Sequence, residues 1–484
     1  MTSITGTSTM SSPGIGSGLD VSSIVTQLMA VESQPLKLMQ IAAQKMQTQL
    51  SAYGKMQSLV SALQDATTPL LTSTNYSLTT AASSDVSSVG VATTTGAVAG
   101  NYAVSVSALA ASQTLVSASG QFAATTDIVG TGTLTISLGS WNAGQTAFTP
   151  KTGAQSVSIT IDSTSNTLAG VRDKINAANA GVTATIVTDS TGSRLALQSS
   201  STGAVNGFKV AVTETGAAGL GRLAFDPSVN IRQMTQTTAA ADTQATVNGI
   251  AITSSSTTLS NVIQGLTLTL GKVTTAPVQV TVSANTDALK AMVKSFAAAY
   301  NALNGFISDS TKYDPVAKQG ALLQGDRTTL SLQTQLRNLL GGFGSASSTF
   351  NTLSSIGLRF QKDGSLQVDD TALSAAVQNP TELKKALSNV DLTSPVNNGF
   401  FKKLSDWEAI ALGTTGSLPT IQQSLQKGVA SNQKDQDAFQ VRLSLTEKRL
   451  RDQYSALDST MSKANALSKY VNQQITLWNN QRSS

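Results

Sequence analysis

The chain has 484 residues with 32 Lys and Arg against 27 Asp and Glu, a formal net charge of +5, and it contains neither cysteine nor histidine. That composition excludes thiolate and imidazole nucleophiles, disulfides and the common zinc sites, so no catalysis, metal or cofactor is expected. Its basic residues alternate with acids, as in Lys434, Asp435, Asp437, Arg442, Glu447, Lys448, Arg449, Arg451 and Asp452. This is a solvated helix face rather than a nucleic-acid footprint.

A hydrophobic content of 40% supports real cores, and the length suggests about three domains. Met1 to Met10 lacks both a basic stretch and an apolar segment, so a general secretory signal is not expected. The uncharged run from Val86 to Thr126 is broken throughout by Ser, Thr and Gly, which rules it out as a membrane span. The protein is expected to stay in the cytosol or to leave by a route that reads no such signal.

The Thr/Ser/Gly stretch to Ser12 is expected to be mobile. Asp20 is placed to cap a short helix whose apolar face is Ile24, Val25, Leu28 and Met29. Pro35 separates it from a longer helix, Leu36 to about Leu63, with Pro69 as its latest end. Met39, Met46, Tyr53 and Val60 recur there at heptad spacing, with Leu36, Ala43 and Leu50 offset by three.

From Ser77 the period becomes alternating. Tyr102, Val104 and Val106 predict a half-buried strand, as do Leu134, Ile136 and Leu138, and then Val157, Ile159 and Ile161. One helix interrupts, with Leu168, Val171, Arg172 and Ile175 at helical spacing and Gly181 placed to end it. Strands resume at 183–187 and 195–198 around a turn at Asp189 to Gly192. A further group runs from Thr246 through the hairpin dipeptide Asn248-Gly249 to 266–270 and 278–282.

Helical period returns with Leu289, Val293, Phe296, Tyr300, Leu303 and Ile307, capped by Thr286 or Asp287. A hairpin is expected around Asp363-Gly364, then short helices at 371–378 and 381–387, then a long C-terminal helix. In that helix Leu443, Leu450, Leu457, Ala464, Val471 and Trp478 recur every seven residues, joined by Tyr454, Met461 and Ile475. So narrow a stripe suits a coiled-coil seam between chains, with an intrachain helix bundle as the alternative. The first long helix is expected to pack against Asp287 to Ile307 and against the region of Phe439 to Leu457.

Three motifs are set aside. Gly14, Gly16 and Gly18 have the wrong spacing for a dinucleotide loop and no preceding strand, which leaves a hinge. Gly265 to Lys272 is one residue too long for a phosphate loop and reads as a strand. Asp369 and Asp370 face opposite ways, and Asp370 is the simpler helix cap.

Gly14 to Val21, Ile24-Val25, Leu28-Met29 and Gln34-Pro35-Leu36 resemble the N-terminal hallmark of the bacterial flagellar filament cap family, the hook-associated protein 2 family. The order continues through Ser51 to Gly54, Gly100-Asn101-Tyr102, Ala240 to Asp242, Val247 to Ile250, Tyr300-Asn301, Leu323 to Asp326 and Ile356 to Leu358. Asp162 to Gly203 resembles a small motif shared by flagellins and hook-associated proteins.

The resemblance implies an α+β multidomain subunit secreted by the flagellar type III route. It implies a homo-oligomeric ring at the distal filament tip, five subunits expected, that scaffolds flagellin insertion. The implied partners are further copies of itself, flagellin, hook–filament junction proteins and an export chaperone at the C-terminal region, with no nucleic acid and no membrane insertion. The expected layout is a coiled-coil leg (1–35 and 436–484), a helical domain (36–76 and 285–435), a β-rich head domain (77–120 and 231–284) and a second inserted in it (121–230). Contact residues are expected on the terminal helices at Ile24, Leu28, Leu36, Met39, Met46, Tyr53, Leu443, Leu450, Tyr454, Leu457, Met461, Val471 and Ile475. A β-rich adhesin with a helical stalk, or another flagellin or junction protein, are the alternative readings.

Overall fold

The computed structural model describes residues 20–481; the opening stretch and the Gly14, Gly16 and Gly18 hinge lie outside them. The helices are α1 (Val21–Glu32), α2 (Gln34–Leu71), α3 (Leu168–Ala177), α4 (Thr286–Thr311), α5 (Arg327–Gly341), α6 (Asp370–Ala376), α7 (Pro380–Ser388), α8 (Phe400–Leu412) and α9 (Ser417–Gln481). The chain divides into a helical unit, made of residues up to Ser73 and from Leu289 onward, and a β unit, Thr74–Ala288.

In the helical unit Asp20 caps α1 by accepting the Ser23 N–H at 2.9 Å, and Pro35 occupies the first turn of α2. α2 then runs past its expected stop to Leu71 with Pro69 inside it. In a last turn the missing proline N–H forfeits a single bond, the one to the Asp65 carbonyl, so the helix tolerates it. α2 buries Tyr53, Met56, Val60, Leu63, Thr67 and Leu70, each large apolar side chain stabilising the fold by about 1.5–3 kcal/mol.

The main neighbours of α2 are α9 and α8, and α4 is not among them. Gln422 donates to Gln57 at 3.0 Å, and a Cβ on Gly428 would meet the Met46 sulfur at 2.9 Å. This antiparallel register sets α2 against the first turns of α9, so the expected pairing with Phe439 to Leu457 is displaced toward the N-terminus of α9. α4 instead stacks Phe296 on Phe401 of α8, ring centroids 4.4 Å apart, and donates from the Tyr300 hydroxyl to the Gly364 carbonyl at 2.9 Å. α8 is thus the shared neighbour of α2 and α4.

Two caps differ from expectation. Asn285, not Thr286 or Asp287, accepts the Ala288 N–H at 3.0 Å, and Asp369, not Asp370, caps α6. Asp370 lies in the first turn of α6 and pairs with Lys294 at 2.6 Å. α5 and α8 were not anticipated, although Leu332, Leu336 and Leu340, and Phe400, Phe401, Leu404, Trp407 and Ala411, line their buried faces at helical spacing.

The β unit contains two cores. In the first, an antiparallel sheet ordered Thr79–Ser83, Val278–Ala284, Gly100–Ala108, Thr243–Val247, Ile250–Ser254 shares a Val-rich core with the three strands Thr258–Ser260, Leu266–Leu270 and Val89–Thr93. Asn248 (φ 49°) and Gly249 (φ 84°) make its left-handed hairpin turn. The chain enters and leaves side by side, since Thr79 pairs with Ala284 and the Asn285 N–H donates to the Leu78 carbonyl at 2.8 Å.

The second core gathers the strands centred on Gly132–Trp141 and Gly207–Glu214, a four-stranded sheet, and α3 around Phe122, Leu134, Phe208 and Phe225. Leu115 and Met234 also belong to it, so strands Thr114–Ser117 and Met234–Thr238 lie in the inserted piece rather than in the first head domain. α3 ends at Ala177, before Gly181, with Asn179 already left-handed at φ 48°. α9 is continuous through 436, so the leg expected from that position continues the same helix.

Candidate contact surface

α9 begins as core and ends as surface. Leu418 has no exposure and Gln436 is buried, Leu443, Leu450 and Tyr454 are half-buried, and Leu457 is 45% and Trp478 64% exposed. α1 and the first half of α2 supply the cover, with Val25, Ile24, Leu36, Met39 and Met46 turned wholly or partly inward. Past Tyr454 the stripe continues at heptad spacing through Leu457, Met461, Val471 and Ile475, all exposed. Leu28, on α1, is 38% exposed.

Tyr53 does not belong to a contact surface. It is 1% exposed, its hydroxyl donates to Asp326 Oδ1 at 2.5 Å, and it lies 3.3 Å from Thr329 Oγ1. Burial foremost, then the bond to Asp326, raises the phenol. It is heptad-spaced because it packs within the chain.

Other exposed apolar side chains escaped the heptad reading. Leu467, Tyr470 and Leu477 join the heptad residues Val471, Ile475 and Trp478 near the end of α9, where a shallow groove runs between Tyr470 and Trp478. Val31, Leu38 and Ile41, with Val441 and Leu445 on α9, are exposed on faces outside the seam. Val31 lies on α1 and Leu38 and Ile41 on α2, so their spacing defines no single helical stripe.

The charges beside the seam are satisfied locally. Arg451 donates from Nε and Nη2 to Glu447 Oε1 at 2.9 and 2.7 Å, and Arg442 lies 4.7 Å over the Phe439 ring. Exposed pairs of this kind contribute below about 1 kcal/mol.

Three carboxyls are held down to about 2 by local partners: hydrogen bonds from Ser88 and Ser87 act on Asp85, those from Thr164 and Ser165 on Asp162, and Lys385 and Ser347 on Glu382. Among the described residues no group of three or more Asp and Glu gathers as a metal site, and no helix is long and apolar enough to cross a membrane.

Comparison with known proteins gives a consistent result. Family models described as flagellar hook-associated protein 2 N-terminus and C-terminus match residues 17–113 and 240–466, and the flagellin hook IN motif matches 142–201. The flagellar hook-associated protein 2 of Escherichia coli K12 is 32% identical over 480 residues, covering 96% of this chain and 98% of the relative. The B-type flagellar hook-associated protein 2 of Pseudomonas aeruginosa is 32% identical over 419 residues, covering 83% and 84%. The crystal structure of the flagellar cap protein FliD D1-D2-D3 domains from Escherichia coli superposes with a TM-score of 0.61 at 30% identity, over 78% of this chain and 99% of that one.

Proposed function

Since the chain belongs to the flagellar hook-associated protein 2 family, we infer that its work is that of the filament cap, a structural subunit at the flagellar tip. In this role copies of the chain form a closed ring, five in our reading, that receives exported flagellin and guides each subunit into place. A ring of identical subunits needs a heterologous contact, one patch meeting a different patch on the next copy. The chain reaches the tip by type III export, with a chaperone on its C-terminal region before export and the junction proteins below it in the finished filament.

The observation that carries this reading is the exposed apolar stripe at the end of α9. Leu457, Met461, Val471, Ile475 and Trp478 form a helical face that is 41–64% exposed, and such faces mark contact with other proteins. Electron microscopy of the purified protein should show rings rather than filaments, and labelled protein should sit at the tips of growing filaments. Spontaneous filaments would move the reading to a flagellin, and label along the shaft would refute a cap.

A further inference from the structure

Glu408 on α8 has no exposed surface. Facing it is Thr67 of α2, whose Oγ1 lies 2.8 Å from the Leu63 carbonyl and 3.0 Å from Glu408 Oε1. The other carboxyl oxygen, Oε2, is buried without a hydrogen-bond partner.

A hydroxyl carries one proton, and two acceptors compete for it. If Thr67 donates to the Leu63 carbonyl, a carboxylate at Glu408 is left with no donor at either oxygen. If it donates to Glu408, the carboxylate still holds one bare oxygen in an apolar interior, where unpaired charge is costly. A carboxylic acid resolves the competition: Glu408 donates its own proton to Thr67 Oγ1, and Thr67 donates onward to Leu63.

Nearby charge offers no substitute. Asp65, on α2 two residues before Thr67, carries the same sign. On α8 itself Lys402 pairs with Asp406, and burial lowers Lys403. Arg337 of α5 is engaged by the Asp363 carbonyl, Glu382 and Lys385 of α7 pair with each other, and Lys427 of α9 is exposed. Among the described residues no cation pairs with Glu408.

We propose that Glu408 is a proton-linked latch between α2 and α8: the two helices close over the neutral acid, and the helical unit takes up one proton as it folds. Burial foremost, opposed by the Thr67 hydrogen bond and aided by Asp65, pushes the carboxyl from its ordinary 4.5 to about 7. Between those values the folded chain holds a proton that the unfolded chain has lost. The resulting stability is complete below the unfolded value and disappears as pH rises through the folded one. The helical unit therefore loosens as the medium becomes alkaline.

Trp407, the neighbouring residue, provides a local reporter in the full-length chain once Trp141 and Trp478, the other two tryptophans, are changed to Phe. Denaturant unfolding of this protein is compared with its Glu408→Gln variant between pH 5 and 8. The latch predicts that the folding constant of the parent falls ~70-fold further than that of the variant across this range. Equal pH dependence in the two proteins would overturn it. Should Glu408→Gln not fold, the infrared spectrum of the folded parent decides: a protonated-carboxyl stretch at pH 6 that is gone at pH 8.5 supports the latch, and its absence at pH 6 refutes it.

Discussion

The Tyr53 hydroxyl donates to the same Asp326 oxygen that accepts the Thr329 N–H, at 2.5 and 2.8 Å. One carboxylate thus caps α5 and fastens it to α2, a residue 273 positions earlier in the chain. Burial works to raise this carboxyl, but the hydrogen bonds from Tyr53 and Thr329 outweigh it and hold Asp326 below the usual range. Its stabilising effect is therefore full above the unfolded value and lost as pH falls through the folded one. Tyr53→Phe should cost about 1.5–3 kcal/mol at neutral pH, as expected for a hydrogen bond to a charged group, and should make the loss of stability on acidification shallower. Equilibrium unfolding at pH 7 and again near pH 2, well below the unfolded value of 3.8, measures both effects.

In the β unit Gln113 acts as a rung between strands. Its Nε2 donates to the Phe208 carbonyl at 2.8 Å, and its Oε1 accepts the Phe208 N–H at 2.9 Å, with no exposure at either residue. Gln113→Leu keeps the volume but leaves the buried Phe208 N–H without a partner. A loss of about 2 kcal/mol is expected, visible as a lower melting temperature for the β unit with the helical unit unchanged. A melt indistinguishable from wild type would contradict that account.

Leu457→Asp separates assembly from folding. The side chain is nearly half exposed in the single chain, so the monomer should change by no more than about 0.5 kcal/mol. Against a partner helix an unpaired carboxylate costs several kcal/mol. Analytical ultracentrifugation should find a folded chain that no longer forms rings, and cells carrying it should release flagellin monomer and make short filaments. Normal rings and normal length would remove this heptad from the contact between subunits.

The path of the chain into the β unit allows a deletion. Leu78 and Asn285 are joined by a backbone hydrogen bond, so a few glycines across that gap can replace residues 79–284. The remaining chain should keep the α2, α8 and α9 core and unfold cooperatively by circular dichroism. A non-cooperative, gradual melt would show that the helical unit depends on the rest.

The element types were legible wherever period was strong. Tyr102, Val104 and Val106 alternate as half-buried strands must, and Asp20, Pro35 and Asn248-Gly249 mark their helix and turn boundaries through backbone chemistry alone. α8 was less visible because its aromatic face, Phe400, Phe401, Leu404 and Trp407, spans only about three turns and follows a loop rich in Asn, Ser and Pro. Pairing was harder still. Heptad spacing placed Tyr53 and Leu457 in one class, and only burial separates a seam closed within the chain from one left open. Thr114–Ser117 carries too short a pattern to announce which of two adjacent sheets will take it.

α9 is a single helix of 65 residues rooted beside Leu418 and ending near Trp478. A free peptide corresponding to its outer turns would meet the nucleation penalty that leaves short helices marginal in water. Here the first turns are already formed inside the helical unit, so the outer ones need only elongate from an existing template. An incoming partner therefore meets side chains already in helical register and surrenders less conformational entropy on docking. The cost of order at the contact surface is met in advance by a core tens of residues away.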